Sequence, residues 1–189
     1  YQMLHSICYF LLQSRLLTTD DGNVKMERFS DEHMNLLFQR FVMEFYKRKH
    51  PEYKPRAKQI RWDMDVDENV SVAMLPIMQT DITLTVGQRT LIIDAKYYGR
   101  TLQENMGKLT IHSSNLYQIH AYVTNEDRYH TGLVDGLLLY ARTSSDIQPD
   151  MHFSNHDGNV FMVKTLDLCQ DFKKIEKQLE KIPDYQLGS

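Results

Sequence analysis

The hydrophobic positions of this chain switch repeatedly between helical and strand period. Met34, Leu37, Phe38, Phe41 and Phe45 recur at three- and four-residue intervals, which predicts a helix from Ser30 or Asp31 as N-cap to about Lys49, closed by His50-Pro51. Between Arg56 and Tyr98 the apolar residues shift towards alternation, predicting strands near 58–64, 71–78, 81–86 and 90–97 with a meander as the simplest connection. A helical stripe returns at Leu116, Ile119 and Val123, so a second helix is expected over 112–125 after a polar link containing Gly99, Gly107 and Lys108. Short strands at 136–140 and 159–164 and a charged amphipathic helix over 166–182, ended by Pro183, complete the pattern, and residues 1–17 read as a mostly apolar N-terminal helix. Helices alternating with strands in this order predict an α/β fold, a mixed β-sheet flanked by helices.

Length and composition narrow this reading. At 189 residues the chain suits one domain, with a core over about 31–141 and a C-terminal strand and helix extension over about 142–183. A start at Tyr1 instead of Met leads us to expect a fragment of a longer protein. The chain is 42% hydrophobic and 25% charged, which argues against disorder away from the ends, and its net charge of −3 argues against polyanion binding by overall charge. Two distant cysteines, Cys8 and Cys169, build neither a disulfide framework nor a zinc site, and the apolar N-terminal stretch is too short and too interrupted to span a membrane, so a cytoplasmic location is expected.

Candidate chemistry concentrates in two stretches. Thr80-Asp81-Ile82-Thr83-Leu84 and Leu91-Ile92-Ile93-Asp94-Ala95-Lys96-Tyr97-Tyr98 suit a hairpin turning through Val86-Gly87-Gln88-Arg89. Asp94 and Lys96 are two apart and project from one face, so two carboxylates and an ammonium would gather where a hard divalent cation could sit. Asp-x-Lys alone also fits an exposed, salt-bridged strand face, but the continuous apolar run before Asp94 would bury that charge, and a buried charge needs a partner. The second stretch is Asn115-Leu116-Tyr117-Gln118-Ile119-His120-Ala121-Tyr122, whose Asn115, Gln118 and Tyr122 share one helix flank; a solvent-facing polar side fits that spacing equally well. The eight histidines show no HExxH spacing, which argues against a zinc hydrolase.

Taken in order, Thr-Asp-Ile, Ile-Ile-Asp-Ala-Lys-Tyr-Tyr and Asn-Leu-Tyr-Gln-Ile-His-Ala-Tyr, with Met34-Asn35-Leu36-Leu37-Phe38-Gln39-Arg40-Phe41-Val42 ahead of them, resemble the nuclease domain of the McrC family. McrC-like proteins are endonuclease subunits of bacterial 5-methylcytosine restriction systems within the PD-(D/E)xK nuclease superfamily. The resemblance implies a restriction-endonuclease-like core (α-β-β-β-α-β) and an Mg²⁺-dependent DNA endonuclease, with Mn²⁺ as an alternative ion. By that resemblance Asp81 and Asp94 hold the metal, with the Ala95 carbonyl as a further ligand, and Lys96 is the catalytic lysine. Gln118 and Tyr122 match the Gln-x-x-x-Tyr motif of RecB-like members. Such families often carry a glutamate in the first helix where this chain has Gln39, and Glu44 is an uncertain substitute.

The resemblance further implies double-stranded DNA as substrate and a McrB-like AAA+ GTPase as partner, since the chain has no P-loop of its own. For DNA contact the candidates are Lys54, Arg56 and Lys58, within a basic run that equally suits a solvated helix end and loop, and Lys108, His112 and Asn115 at the second helix. Two other readings stay open: a catalytically degenerate assembly subunit that stimulates the partner GTPase, supported by Gln39, and a stand-alone RecB-like repair nuclease.

Overall fold

The computed structural model describes residues 31–64, 74–98, 102–105, 107–142 and 147–184. The expected helix over 1–17 lies outside them, as do the first residues of the strand expected over 71–78. The first described element, α1 (Asp31–Lys49), has acidic residues in its first turn and Lys47, Arg48 and Lys49 in its last, each complementing the helix dipole. A single 3₁₀ turn at Pro51–Tyr53 follows. Two short strands, β1 (Gln59–Ile60) and β2 (Met78–Gln79), pair antiparallel in a small sheet of their own.

The main sheet has five strands in the order β3-β4-β7-β9-β8: β3 (Ile82–Val86), β4 (Arg89–Lys96), β7 (Val134–Ala141), β9 (Val160–Leu166) and β8 (Met151–Ser154). Its centre is parallel, β4 with β7 and β7 with β9, and both edges are antiparallel. The β3–β4 hairpin closes through Gly87, whose φ of +60° sits at the first position of a two-residue turn, where a left-handed backbone favours glycine. Between β4 and β7 run a hairpin of β5 (Leu102–Asn105) and β6 (Lys108–Ile111), then α2 (Ser113–Glu126). The last described element is α3 (Phe172–Asp184).

Alternation along the strands sorts the sheet into two faces. Phe38, Phe41, Val42 and Phe45 of α1 and Ile175, Leu179 and Ile182 of α3 pack with Leu91, Ile93, Leu137, Leu139 and Met162. On the other face Ile119, Tyr122 and Val123 of α2 pack with Ile92, Leu138, Tyr140 and Phe161. Gly136 of β7 lets α2 come close: a Cβ there would stand 2.8 Å from Ile119 Cγ1 and 2.9 Å from Val123 Cγ2. At the start of β7, Asp135 is fully buried and takes a two-pronged ion pair from Arg89 at 2.6 and 2.7 Å. This pair crosses from β4 to β7 at the opposite end of β4 from Asp94.

The mixed sheet flanked by helices matches expectation, and four details correct it. The meander fails: β1 and β2 leave the main sheet, and the chain returns from β4 to β7 in parallel through α2, because parallel neighbours require a crossover. The polar link around Gly107 holds the β5–β6 hairpin, with Gly107 at φ +75°. Edge strand β8 is only four residues long, too short for the alternation of Met151 and Phe153 with His152 and Ser154 to mark it, and all four residues are exposed. The last helix starts at Phe172 and not at 166, because Asp167 binds Cys169 N–H and Gln170 Nε2 and draws 167–170 into a turn.

Candidate active site

Asp94 and Lys96 end β4 on the α2 face, as their spacing requires, and both are buried, at 1% and 9% exposure. Asp81 stands one step before β3. Since Ile82 pairs with Ile93, Asp81 falls opposite Asp94, and its Oδ2 accepts the Ala95 N–H at 2.9 Å. Lys96 Nζ donates to Asp94 Oδ1 at 2.9 Å and to Gln118 Oε1 at 3.2 Å. Gln118 Nε2 in turn donates to the Tyr122 hydroxyl at 2.9 Å, and that hydroxyl donates to the Gln79 carbonyl at 3.0 Å. A continuous chain thus ties the lysine through α2 to the end of β2, two residues before Asp81.

The electrostatics show a centre short of positive charge. Burial, then the neighbouring Asp94 carboxylate, pushes Asp81 up from 3.8 to about 7. Burial also raises Asp94, against the opposing pull of Lys96. For Lys96, burial works to lower its pKa, but the charge and hydrogen bond of Asp94 outweigh it and hold the ammonium above its ordinary range. Asp94 Oδ2 is buried and accepts no hydrogen bond in the structure, and the neighbouring Asp81 carboxyl can donate one to Asp94 only when protonated. One lysine therefore faces two carboxylates, and the remaining negative charge calls for either a proton between them or a cation. The oxygens that could serve a hard, oxygen-preferring divalent ion here are those of Asp81, Asp94 and the Ala95 carbonyl. Among the described residues no group of three or more His, Cys, Asp or Glu is placed to hold a metal ion, so two carboxylates are all the acidic side chains this centre offers.

The sequence candidates separate by location. Gln39 projects from α1 into the site, where its Nε2 donates a long 3.4 Å contact to the Ala95 carbonyl. Glu44 faces away and pairs with Lys47 at 3.0 Å and Arg48 at 3.8 Å. Asn115 is buried, donating to the Tyr140 hydroxyl at 2.9 Å and accepting from the Tyr98 hydroxyl at 3.2 Å, so its side chain braces α2 against β7. Lys54 takes a left-handed backbone after the 3₁₀ turn, Arg56 donates to the Lys54 carbonyl at 3.2 Å, and Lys58 pairs with Glu126. His112 stands at the N-cap of α2 beside the Tyr98 ring, and Lys108 is exposed at the β5–β6 turn.

Three supports were invisible in the motifs. Asn35 Oδ1 accepts the Tyr97 N–H at 2.8 Å, pinning α1 to the end of β4. Thr80 and Thr83 share a buried hydroxyl bond of 2.8 Å, and Thr80 Oγ1 accepts the Lys58 N–H at 2.9 Å, fixing the approach to Asp81. The Gln79 carbonyl that receives Tyr122 is a backbone atom, which no residue type announces.

Fold and site define an α/β protein with an acidic pair and a buried lysine at the carboxyl end of its parallel strands. The chain belongs to the McrBC 5-methylcytosine restriction system component family, which matches residues 1–141. It is 29% identical over 189 residues to the type IV methyl-directed restriction enzyme EcoKMcrBC of Escherichia coli K12, covering 99% of this chain and 53% of that protein. It therefore spans about half the length of that relative. Its fold is also similar to a solved assembly of Thermococcus gammatolerans McrB AAA+ hexamers with bound McrC, with a TM-score of 0.51, 18% identity, and coverage of 81% of this chain and 33% of the matched chain. Among the described residues no helix is long and apolar enough to cross a membrane.

Proposed function

We propose that this chain is the nuclease domain of an McrC-like cleavage subunit, hydrolysing phosphodiester bonds of double-stranded DNA with Mg²⁺ or Mn²⁺ in a modification-dependent restriction system of the bacterial cytoplasm. The observation that carries this reading is the convergence of Asp81, Asp94 and Lys96, with the Asp94 Oδ2 left unpartnered in a buried site. Asp81, Asp94 and the Ala95 carbonyl would hold the ion. When bound, it neutralises charge building on the phosphate and makes water nucleophilic near neutral pH.

The chain's own residues set the geometry. Asp94 and Gln118 hold the Lys96 ammonium in one place, so it can donate to a phosphate oxygen or to the attacking water. Its raised pKa keeps it protonated near neutral pH, which favours donation over proton abstraction. Tyr122 fixes the Gln118 amide so that its oxygen faces Lys96. Gln39 sits beside the Ala95 carbonyl, and rotating its amide would turn an oxygen towards the same place without adding charge.

The resemblance to McrC bound to McrB hexamers supports a McrB-like AAA+ GTPase as partner. The test is nicking and linearisation of a methylated plasmid by the full-length protein with that partner, GTP and Mg²⁺. Asp81→Asn, Asp94→Asn and Lys96→Ala should each lower cleavage by roughly 10² or more while GTP hydrolysis continues. Cleavage by all three at the unsubstituted rate would sink the proposal.

A further inference from the structure

Helix α1 presents a second face of which the core uses only Met43. Phe38, Phe41, Val42 and Phe45 point into the sheet, whereas Leu36, Gln39, Arg40 and Met43, spaced i, i+3, i+4 and i+7, line an open cleft of about 370 Å³. Its other wall is Ala57 with Gln79, Thr80 and Asp81, so the cleft reaches the first of the two carboxylates. Its size lies at the lower end of the range of small-ligand sites, about 300–1,000 Å³.

The lining has mixed chemistry. Leu36 is 48% exposed at the mouth of the cleft, and Met43 extends that apolar strip towards the core. Arg40, one turn from each, carries a guanidinium suited to a phosphate oxygen. Gln39 and Asp81 join cleft to site.

We infer that this cleft is a subsite for one nucleotide of the cleaved DNA strand, adjacent to the scissile phosphate, with its sugar or base against Leu36 and Met43 and its outer phosphate on Arg40. The inference rests on the hydrolytic reading above. A nucleotide fits better than a peptide because the cleft opens onto Asp81, where a phosphodiester bound at the site has to continue in both directions. Apolar surface beside a guanidinium matches the alternation of sugar or base with phosphate along a strand.

The experiment uses the full-length protein with its GTPase partner and a methylated duplex. A benzophenone amino acid placed at position 36, in a protein also carrying Asp94→Asn to stop hydrolysis, should crosslink to DNA within one or two nucleotides of the cleavage position mapped with the unsubstituted protein. The same probe at position 180, exposed on α3 and away from the cleft lining, should not crosslink to DNA. In binding assays on the Asp94→Asn background, Arg40→Gln should lower the slope of log affinity against log salt by about 0.7–0.9, the signature of one lost phosphate contact. Leu36 and Arg40 are exposed, so unchanged melting temperatures will confirm folding. Cleavage by the unsubstituted protein without DNA crosslinking at 36, or crosslinking there to the partner protein, would overturn the subsite while leaving the nuclease reading intact. Crosslinking without any cleavage by the unsubstituted protein would place DNA in the cleft and overturn the hydrolytic reading instead.

Discussion

Replacing Asp81 by Asn removes one charge from the carboxylate pair and keeps an oxygen to accept the Ala95 N–H, now bonded at 2.9 Å. In the folded protein, burial and Asp94 hold the Asp81 proton up to about 7, against an ordinary value of 3.8. Between those values the folded state binds more protons than the unfolded chain, so stability is greatest at low pH and falls as pH rises through the window. At 1.36 kcal/mol per pH unit the loss at neutral pH and above is at most roughly 4 kcal/mol. The amide of the Asp81→Asn protein does not titrate, so it contributes no such slope. In chelator, the variant should therefore be more stable than the unsubstituted chain by roughly 2–4 kcal/mol near pH 8, and the two should converge near pH 4. Mg²⁺ at about 100 times its dissociation constant should return about 2.7 kcal/mol to the unsubstituted chain and little to the variant. Urea unfolding followed by circular dichroism across this pH range, with chelator and with Mg²⁺, measures both quantities. Parallel stability profiles for the two proteins in chelator would refute the idea that burial and the neighbouring Asp94 hold the Asp81 proton in the folded state.

Other perturbations separate structure from chemistry. Lys96→Met leaves Asp94 buried beside a neutral side chain and should cost about 3–5 kcal/mol in metal-free unfolding, with Mg²⁺ recovering part of it; no loss of stability would argue that Lys96 does not offset Asp94. Tyr122→Phe removes the hydroxyl shared by Gln118 and Gln79 and should cost about 1–2 kcal/mol, with cleavage reduced less than by Lys96→Ala; equal losses would give the tyrosine a direct chemical role. Gly136→Ala forces α2 away from β7 and should destabilise by about 1–3 kcal/mol while slowing cleavage, because Gln118 and Tyr122 move with the helix; unchanged unfolding would contradict the close approach. Arg89→Met strands the buried Asp135 and should cost about 3–5 kcal/mol without altering Mg²⁺ binding, since the pair sits at the other end of β4. A change in Mg²⁺ affinity would couple the two ends.

What the sequence determined by itself was local and periodic. Side-chain alternation put Asp94 and Lys96 on one face of β4, a glycine turn set the β3–β4 register that brings Asp81 opposite Asp94, and the four-residue spacing joined Gln118 to Tyr122. These follow from backbone geometry within one or two elements, so they survive in any fold that contains them. Asn115 shows where such reasoning ends, since it shares a helix flank with Gln118 yet turns inward to Tyr140. Its neighbours come from β7, which spacing along α2 cannot reveal.

Tertiary structure decided which carboxylates are buried, which cations are already spoken for, and which atoms are left wanting. Glu44 and Lys58 carry suitable charges but find partners on the surface, whereas Asp94 keeps an oxygen with none. Likewise the strand order, the separation of β1 and β2 from the main sheet, and the cleft between α1 and Asp81 depend on contacts between residues distant in the chain. Periodicity records which face of an element is apolar; it does not record what that face meets. Desolvation and charge pairing act only once those neighbours are in place, and they turn two aspartates and a lysine into a centre that must take up a proton or a cation.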